Sequence, residues 1–210
     1  MYQVICFDLD GTLVDSITDI GNSMNMVLQH HKLPTRSYDD YRNFIGNGSR
    51  KLVERASGYF KVDEMLEQYN NLYYINSTKT TKEYADVTKV LLHLKSHYKL
   101  VVITNKPHNL AVKIVSHYFK DIFDLVIGQQ PDVPAKPRPD MMDIVIRNYK
   151  LRSKTKILYV GDSEVDHNFA INSKVDHYIV THGYGQDEFI YELDKKYKIN
   201  NLKEILNKLK

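Results

Sequence analysis

Four consecutive apolar residues, Val4, Ile5, Cys6 and Phe7, run straight into Asp8-Leu9-Asp10-Gly11. An uninterrupted apolar run of this length predicts a short strand buried on both faces, as in the middle of a parallel sheet. Side chains alternate along a strand, so Asp8 and Asp10 point one way while Leu9 turns back into the core. Gly11 lets the chain leave the sheet at an angle that a Cβ would resist. Two like charges a few ångströms apart are unfavourable unless a cation, a proton or hydrogen bonds compensate them. An acidic turn is the plain alternative, since Asp and Gly are common turn residues. The rest of the chain decides between the two.

After Asp15-Ser16, a pair suited to capping a helix, Ile20, Met24, Val27 and Leu28 recur at helical spacing, and Pro34 is expected to end that element. Ser37-Tyr38-Asp39-Asp40 predicts a capped short helix to Phe44. Gly46-Asn47-Gly48 reads as a turn, Leu52, Val53 and Ala56 as a helix closed by Gly58, and residues 62–75 as a further helix. Four helical segments without an intervening strand predict a small bundle over residues 15–81. From Tyr84 onward helices alternate with apolar strands at 100–103, 125–127, 157–160 and 178–180, and a last helix is expected over 202–209. That alternation predicts a parallel sheet with right-handed crossovers.

In such sheets ligands bind beyond the carboxyl ends of the strands. Those ends carry Asp8 and Asp10, then Thr104 and Asn105, then Asp162, with Lys136 in an intervening loop. Each has a dull explanation alone: a polar strand end, a solvated charge, a helix cap. Together they suit a phosphate and a divalent cation. Carboxylates without nitrogen or sulfur ligands favour a hard ion, Mg²⁺ above all. Asp8 and Asp162 could hold it with a backbone carbonyl near Asp10. A carboxylate can attack phosphorus, the metal and Lys136 can offset the charge, and Thr104 and Asn105 can donate to phosphoryl oxygens. Asp10 is sited to protonate the leaving oxygen and then activate water. Asp166 could orient Lys136 or a metal-bound water.

The segments Phe7-Asp8-Leu9-Asp10-Gly11-Thr12-Leu13-Val14-Asp15-Ser16, Ile103-Thr104-Asn105-Lys106-Pro107, Lys136-Pro137-Arg138-Pro139 and Gly161-Asp162-Ser163-Glu164-Val165-Asp166 resemble, in order and spacing, the four motifs of haloacid dehalogenase superfamily phosphatases. The resemblance spans essentially the whole chain. It implies an α/β fold, a Rossmann-like doubly wound core (residues 1–14 and 82–210) with a helical cap (15–81) inserted after the first strand. It implies Asp8 as nucleophile, Asp10 as acid/base, Thr104 and Lys136 as phosphate binders and Asp162 as metal ligand, with Asp166 and Thr12 in support. Gly46-Asn47-Gly48-Ser49-Arg50-Lys51 is similar to the cap segment of the phosphoglycolate phosphatases, which implies that the Gly46–Gly48 turn and Arg50 or Lys51 meet a small anionic substrate. A plain inter-helix turn followed by exposed helix charges is the alternative. Residues 181–185 are similar to that group's segment after the last strand.

An aspartate at position 10 argues against the dehalogenase and phosphonate-hydrolase relatives, and Thr12 against the sugar phosphomutases. Pyrophosphate and nucleoside monophosphate hydrolases stay open. A phosphate-receiver domain would carry its acceptor on a middle strand of the chain and no inserted helices. A non-catalytic binding protein would be expected to lack a core motif residue, and none is missing. Net charge is +3, from 29 basic and 26 acidic residues, and the basic residues are dispersed, so no nucleic-acid face is expected. No stretch has the ~20 apolar residues of a membrane span, and no signal peptide is read at the start. A lone cysteine fits a cytoplasmic location. The expected partner is a small phosphorylated substrate, for a monomer or a homodimer.

Overall fold

The computed structural model describes residues 2–209. Strand β1 (Val4–Phe7) carries the opening apolar run, and all four of its residues are buried. Alternation sorts them, Ile5 and Phe7 joining the core on one sheet face and Val4 and Cys6 that on the other. A strand apolar on both faces has to lie inside a sheet covered on both sides.

The chain then forms β2 (Val14–Asp15) and the helices α1 (Ile17–His30), α2 (Tyr38–Phe44), α3 (Ser49–Ser57) and α4 (Val62–Asn76). It returns through β3 (Lys82–Glu83), α5 (Val87–Lys95), β4 (Lys99–Pro107), α6 (His108–Tyr118) and β5 (Leu125–Gln129). The remainder is α7 (Asp140–Asn148), β6 (Ile157–Gly161), α8 (Glu164–Ser173), β7 (Asp176–Val180), α9 (Asp187–Glu192), β8 (Lys198–Ile199) and α10 (Ile205–Lys208). Six strands make one sheet in the order β5-β4-β1-β6-β7-β8, every neighbouring pair parallel. This is the Rossmann-like α/β architecture expected. The chain steps outward from β1 through β4 to β5, then crosses to β6 on the other side. The carboxyl ends of β4, β1 and β6 therefore flank the switch point where such sheets bind ligands.

Helices α1 to α4 pack on one another around buried Met24, Leu28, Tyr41, Val53, Met65 and Tyr69. The segments entering and leaving this helical layer pair as an antiparallel ribbon, Val14 with Glu83 and Asp15 with Lys82. Two-residue strands have no periodicity, so neither this ribbon nor β8 is visible in the sequence.

Other differences are local. Helix α1 stops at His30, before Pro34, and Lys32 takes a left-handed conformation with φ 58°. Ser16 does not cap α1 with its side chain; its hydroxyl donates to Asp10 Oδ1 at 2.5 Å. The Ser16 and Ile17 amides donate instead to the Tyr184 hydroxyl, at 2.7 and 3.1 Å. The strand at Leu100 continues past Ile103 to Pro107 through a register shift. The final helix is a 3-10 turn (Leu202–Glu204) followed by the single turn of α10. No helix among the described residues is long and apolar enough to cross a membrane.

Candidate active site

Asp8 directly follows β1, its amide bonded to the Val160 carbonyl at 2.9 Å, so the ladder still aims its side chain when the strand proper has ended. Leu9 is buried, and Asp8 and Asp10 open on one cavity of about 430 Å³. The predicted alternation therefore holds past the strand end. Gly11 sits at φ 85°, and a Cβ there would lie 2.2 Å from Asp162 Oδ2. Only glycine permits the third carboxylate to come this close.

The two carboxylates are held by different cations. Asp8 Oδ1 lies 2.9 Å from the Lys136 ammonium, which also meets Asp166 Oδ1 at 2.8 Å and the Tyr159 hydroxyl at 2.9 Å. Asp10 Oδ2 meets the Lys106 ammonium at 2.8 Å, while Oδ1 takes the Ser16 hydroxyl. Asp162 accepts from the Thr12 hydroxyl at 2.8 Å and the Tyr184 amide at 2.7 Å. Asp166 is saturated: Oδ1 takes Lys136 and Tyr159, and Oδ2 takes the Ser163 hydroxyl and the Asp162 and Ser163 amides. It also completes the capping box that starts α8, so one side chain both starts a helix and orients a lysine.

Oxygens of Asp8, Asp162 and Asp166 all lie within 4.8 Å of one another. Burial raises the Asp8 carboxyl to about 6; Lys136 opposes this and the Asp166 charge adds to it. Burial, with the Asp166 and Asp8 charges, pushes Asp162 well above the carboxylate range. Burial acts to lower the Lys136 ammonium, but Asp166 and Asp8 hold it above its ordinary value. Burial alone would raise Asp166 too, yet Lys136 and the hydrogen bonds keep it low. One ammonium thus faces three buried carboxylates. Asp8 Oδ1 is buried without a hydrogen-bond donor in good geometry. Such an all-oxygen pocket with surplus negative charge fits a hard divalent cation. Asp8 and Asp162 would hold it, with Asp166 behind them. The Asp10 carboxylate is not part of that cluster, which leaves the backbone carbonyl near Asp10 as the group that residue would offer a cation.

Thr104 is buried at the cavity wall, its hydroxyl accepting the Lys106 amide at 3.3 Å. Asn105 departs from expectation. Its side-chain amide donates to the Gly46 and Lys136 carbonyls, at 2.9 and 3.0 Å, and accepts the Lys136 amide. Both its donors are used, one fastening the 46–48 turn to the sheet and one holding the Lys136 backbone, leaving none for a phosphoryl oxygen. Gly46, Asn47 and Gly48 all line the cavity, and Asn47 accepts from Arg55 at 2.8 Å. Gly48, at φ 85°, lies where a Cβ would be 2.6 Å from Gln129 Oε1. Arg50 is directed elsewhere, to Asp63 at 2.7 Å on the exposed surface. The exposed ion pair of Lys51 is with Glu54.

Neither Lys106 nor Tyr184 is marked by the sequence pattern, though Lys106 lies in the 103–107 motif and Tyr184 in the 181–185 segment. A lysine one residue past a strand-end motif and a tyrosine between glycines carry no periodic signal; only topology brings them to Asp10 and Asp162.

The geometry has counterparts. The haloacid dehalogenase-like hydrolase pattern matches residues 5–180. A phosphoglycolate phosphatase from Colwellia psychrerythraea is 30% identical over 99% of this chain and 97% of its own. One from Aquifex aeolicus is 33% identical over 78% of each. The crystal structure of a predicted phosphoglycolate phosphatase from Haemophilus somnus superposes with a TM-score of 0.90 at 27% identity, covering 100% of this chain and 98% of that one. Sheet order, the paired aspartates and these relatives agree: the chain belongs to the haloacid dehalogenase-like hydrolases and is a phosphatase resembling the phosphoglycolate phosphatases.

Proposed function

We propose that this phosphatase is a Mg²⁺-dependent phosphomonoester hydrolase that works through a phosphorylated Asp8. The observation that carries the reading is the division of labour between two carboxylates on one cavity: Asp8 paired with Lys136, Asp10 with Ser16 and Lys106. Separate surroundings for two neighbouring acids suit separate roles. Asp8 attacks phosphorus while Asp10 gives a proton to the departing ester oxygen. Asp10 then takes a proton from the water that hydrolyses the acyl phosphate, releasing inorganic phosphate and regenerating Asp8. Thr104 and Lys136 bind the phosphoryl oxygens. The cation held by Asp8 and Asp162, when bound, offsets the charge between nucleophile and substrate.

Residues 15–81 act as a cap over a core of residues 1–14 and 82–210, swinging on the β2–β3 ribbon. The Gly46–Gly48 turn, tied to Asn105, forms the cavity's lid and excludes bulk water. The substrate is a small phosphorylated metabolite such as 2-phosphoglycolate, which the names of the relatives support.

A phosphate-release screen with Mg²⁺ and with chelator tests the reading, using phosphoglycolate, pyrophosphate, nucleoside monophosphates and sugar phosphates. Mg²⁺-dependent release from phosphoglycolate, abolished by Asp8→Asn, is expected. Release from pyrophosphate or a nucleotide instead would keep the chemistry and discard the substrate. Turnover by a clean Asp8→Asn preparation would overturn the mechanism.

A further inference from the structure

Four basic side chains line the cavity: Arg42, Arg55, Lys106 and Lys136. Three are committed or displaced. Lys136 is held among Asp8, Asp166 and Tyr159 at the Asp8 end of the cavity. The Arg55 guanidinium is turned to the Asn43 and Phe44 carbonyls and to Asn47. Arg42 is an exposed residue lying over the Tyr184 ring. Lys106 is different. Its side chain is only 4% exposed, and its ammonium meets Asp10 Oδ2 and the Tyr73 hydroxyl, at 2.8 and 2.9 Å. Those two contacts leave one of its three donors unused by any described residue.

From these contacts we infer that Lys106 is a specificity residue that selects esters whose leaving group bears a second negative charge close to the ester oxygen. The inference rests on the hydrolase reading, in which Asp10 hydrogen-bonds the departing oxygen. A hydrogen bond of about 3 Å there puts that oxygen within about 6 Å of the Lys106 nitrogen. A carboxylate one carbon farther along the leaving group then reaches the spare donor. The Tyr73 ring, 4.5 Å from the ammonium and stacked on Tyr69, walls this end of the cavity. A charge pair formed here is shielded from water, where it discriminates best. The subsite joins the helical layer to the sheet, Tyr73 coming from α4 and Lys106 from β4.

The test compares phosphoglycolate with ethyl phosphate, which carries a methyl group in place of the carboxylate. Lys106→Met keeps the stem and removes the charge. It is expected to lower kcat/KM for phosphoglycolate about ten- to hundredfold more than for ethyl phosphate, as loss of a charge-assisted hydrogen bond would. Lys106→Arg should restore part of that ratio. Equal losses on both esters would overturn the inference, leaving Lys106 as a support for Asp10 alone. Binding of the two esters to Asp8→Asn, with and without Lys106→Met, reads the same ratio without turnover, so failure of the hydrolase reading is separable. If Lys106→Met does not fold, Lys106→Gln, which removes the charge and keeps a polar end, is expected to shift the ratio in the same direction. An unchanged ratio in that variant would overturn the inference.

Discussion

Replacing Asp8, the proposed nucleophile, by Asn should make the metal-free protein more stable. In the fold the Asp8 carboxyl is raised from an ordinary 3.8 to about 6, first because it is buried. It therefore holds its proton more tightly folded than unfolded, and ionising it costs folding free energy. The penalty is complete above the folded value and absent below the ordinary one. The gap between the two values is worth about 3 kcal/mol at pH 7.5 and roughly half that at pH 5. Asp8→Asn removes the charge at almost constant shape and relieves the neighbouring Asp162, which adds in the same direction. The assay is urea unfolding of both proteins in chelator at pH 5 and 7.5. Groups such as His177, whose burial lowers it to about 4, are common to both proteins and cancel in the difference. The variant should be more stable, and by more at the higher pH. A variant that is less stable at pH 7.5, or a difference independent of pH, would refute the charge accounting. Saturating Mg²⁺ should close the gap, because it binds the folded wild type through the carboxylate the variant lacks.

Thr12→Val removes the 2.8 Å bond to Asp162 Oδ1; the Mg²⁺ activation midpoint should rise about ten- to hundredfold, and an unchanged midpoint would show that Thr12 does not tune the site. Tyr184→Phe strands the Ser16 amide and leaves the Ile17 amide only its 3.4 Å bond to Asp15 Oδ1; it should cost about 1–3 kcal/mol in urea unfolding. The Tyr184 backbone bond to Asp162 survives that change, so its Mg²⁺ midpoint should stay put. Gly48→Ala places a methyl group against Gln129 at φ 85° and ψ 167°, a region essentially reserved for glycine, disfavouring the closed turn by about 1–2 kcal/mol. It should raise KM roughly five- to thirtyfold, and wild-type steady-state kinetics would exclude a lid role for the turn.

Much of the site was legible because its residues are tied to strand ends. Asp8, Asp10, Thr104 and Asp162 each follow an apolar run, and a parallel sheet has to bring such ends to one edge. The ordered motifs then made Lys136 legible despite its place in a loop. The helical layer was legible through spacing, Met24 and Leu28 on α1 or Leu52 and Ala56 on α3 being one turn apart. What escaped had no local signature. Arg50 and Asn105 had the right chemistry and chain position, yet Asp63 and the Gly46 and Lys136 carbonyls claim them. Side-chain partners across chain separations of tens of residues are set by packing, not by pattern. The α/β alternation, the central strand and the identity of the acids follow from the order of residues alone, because backbone periodicity and residue chemistry are local. Packing settles which cation each acid meets, that the Tyr184 hydroxyl rather than Ser16 takes the first amides of α1, and that Lys106 meets Asp10 and Tyr73. Those outcomes depend on distances of about 3 Å between segments that only the closed fold brings together.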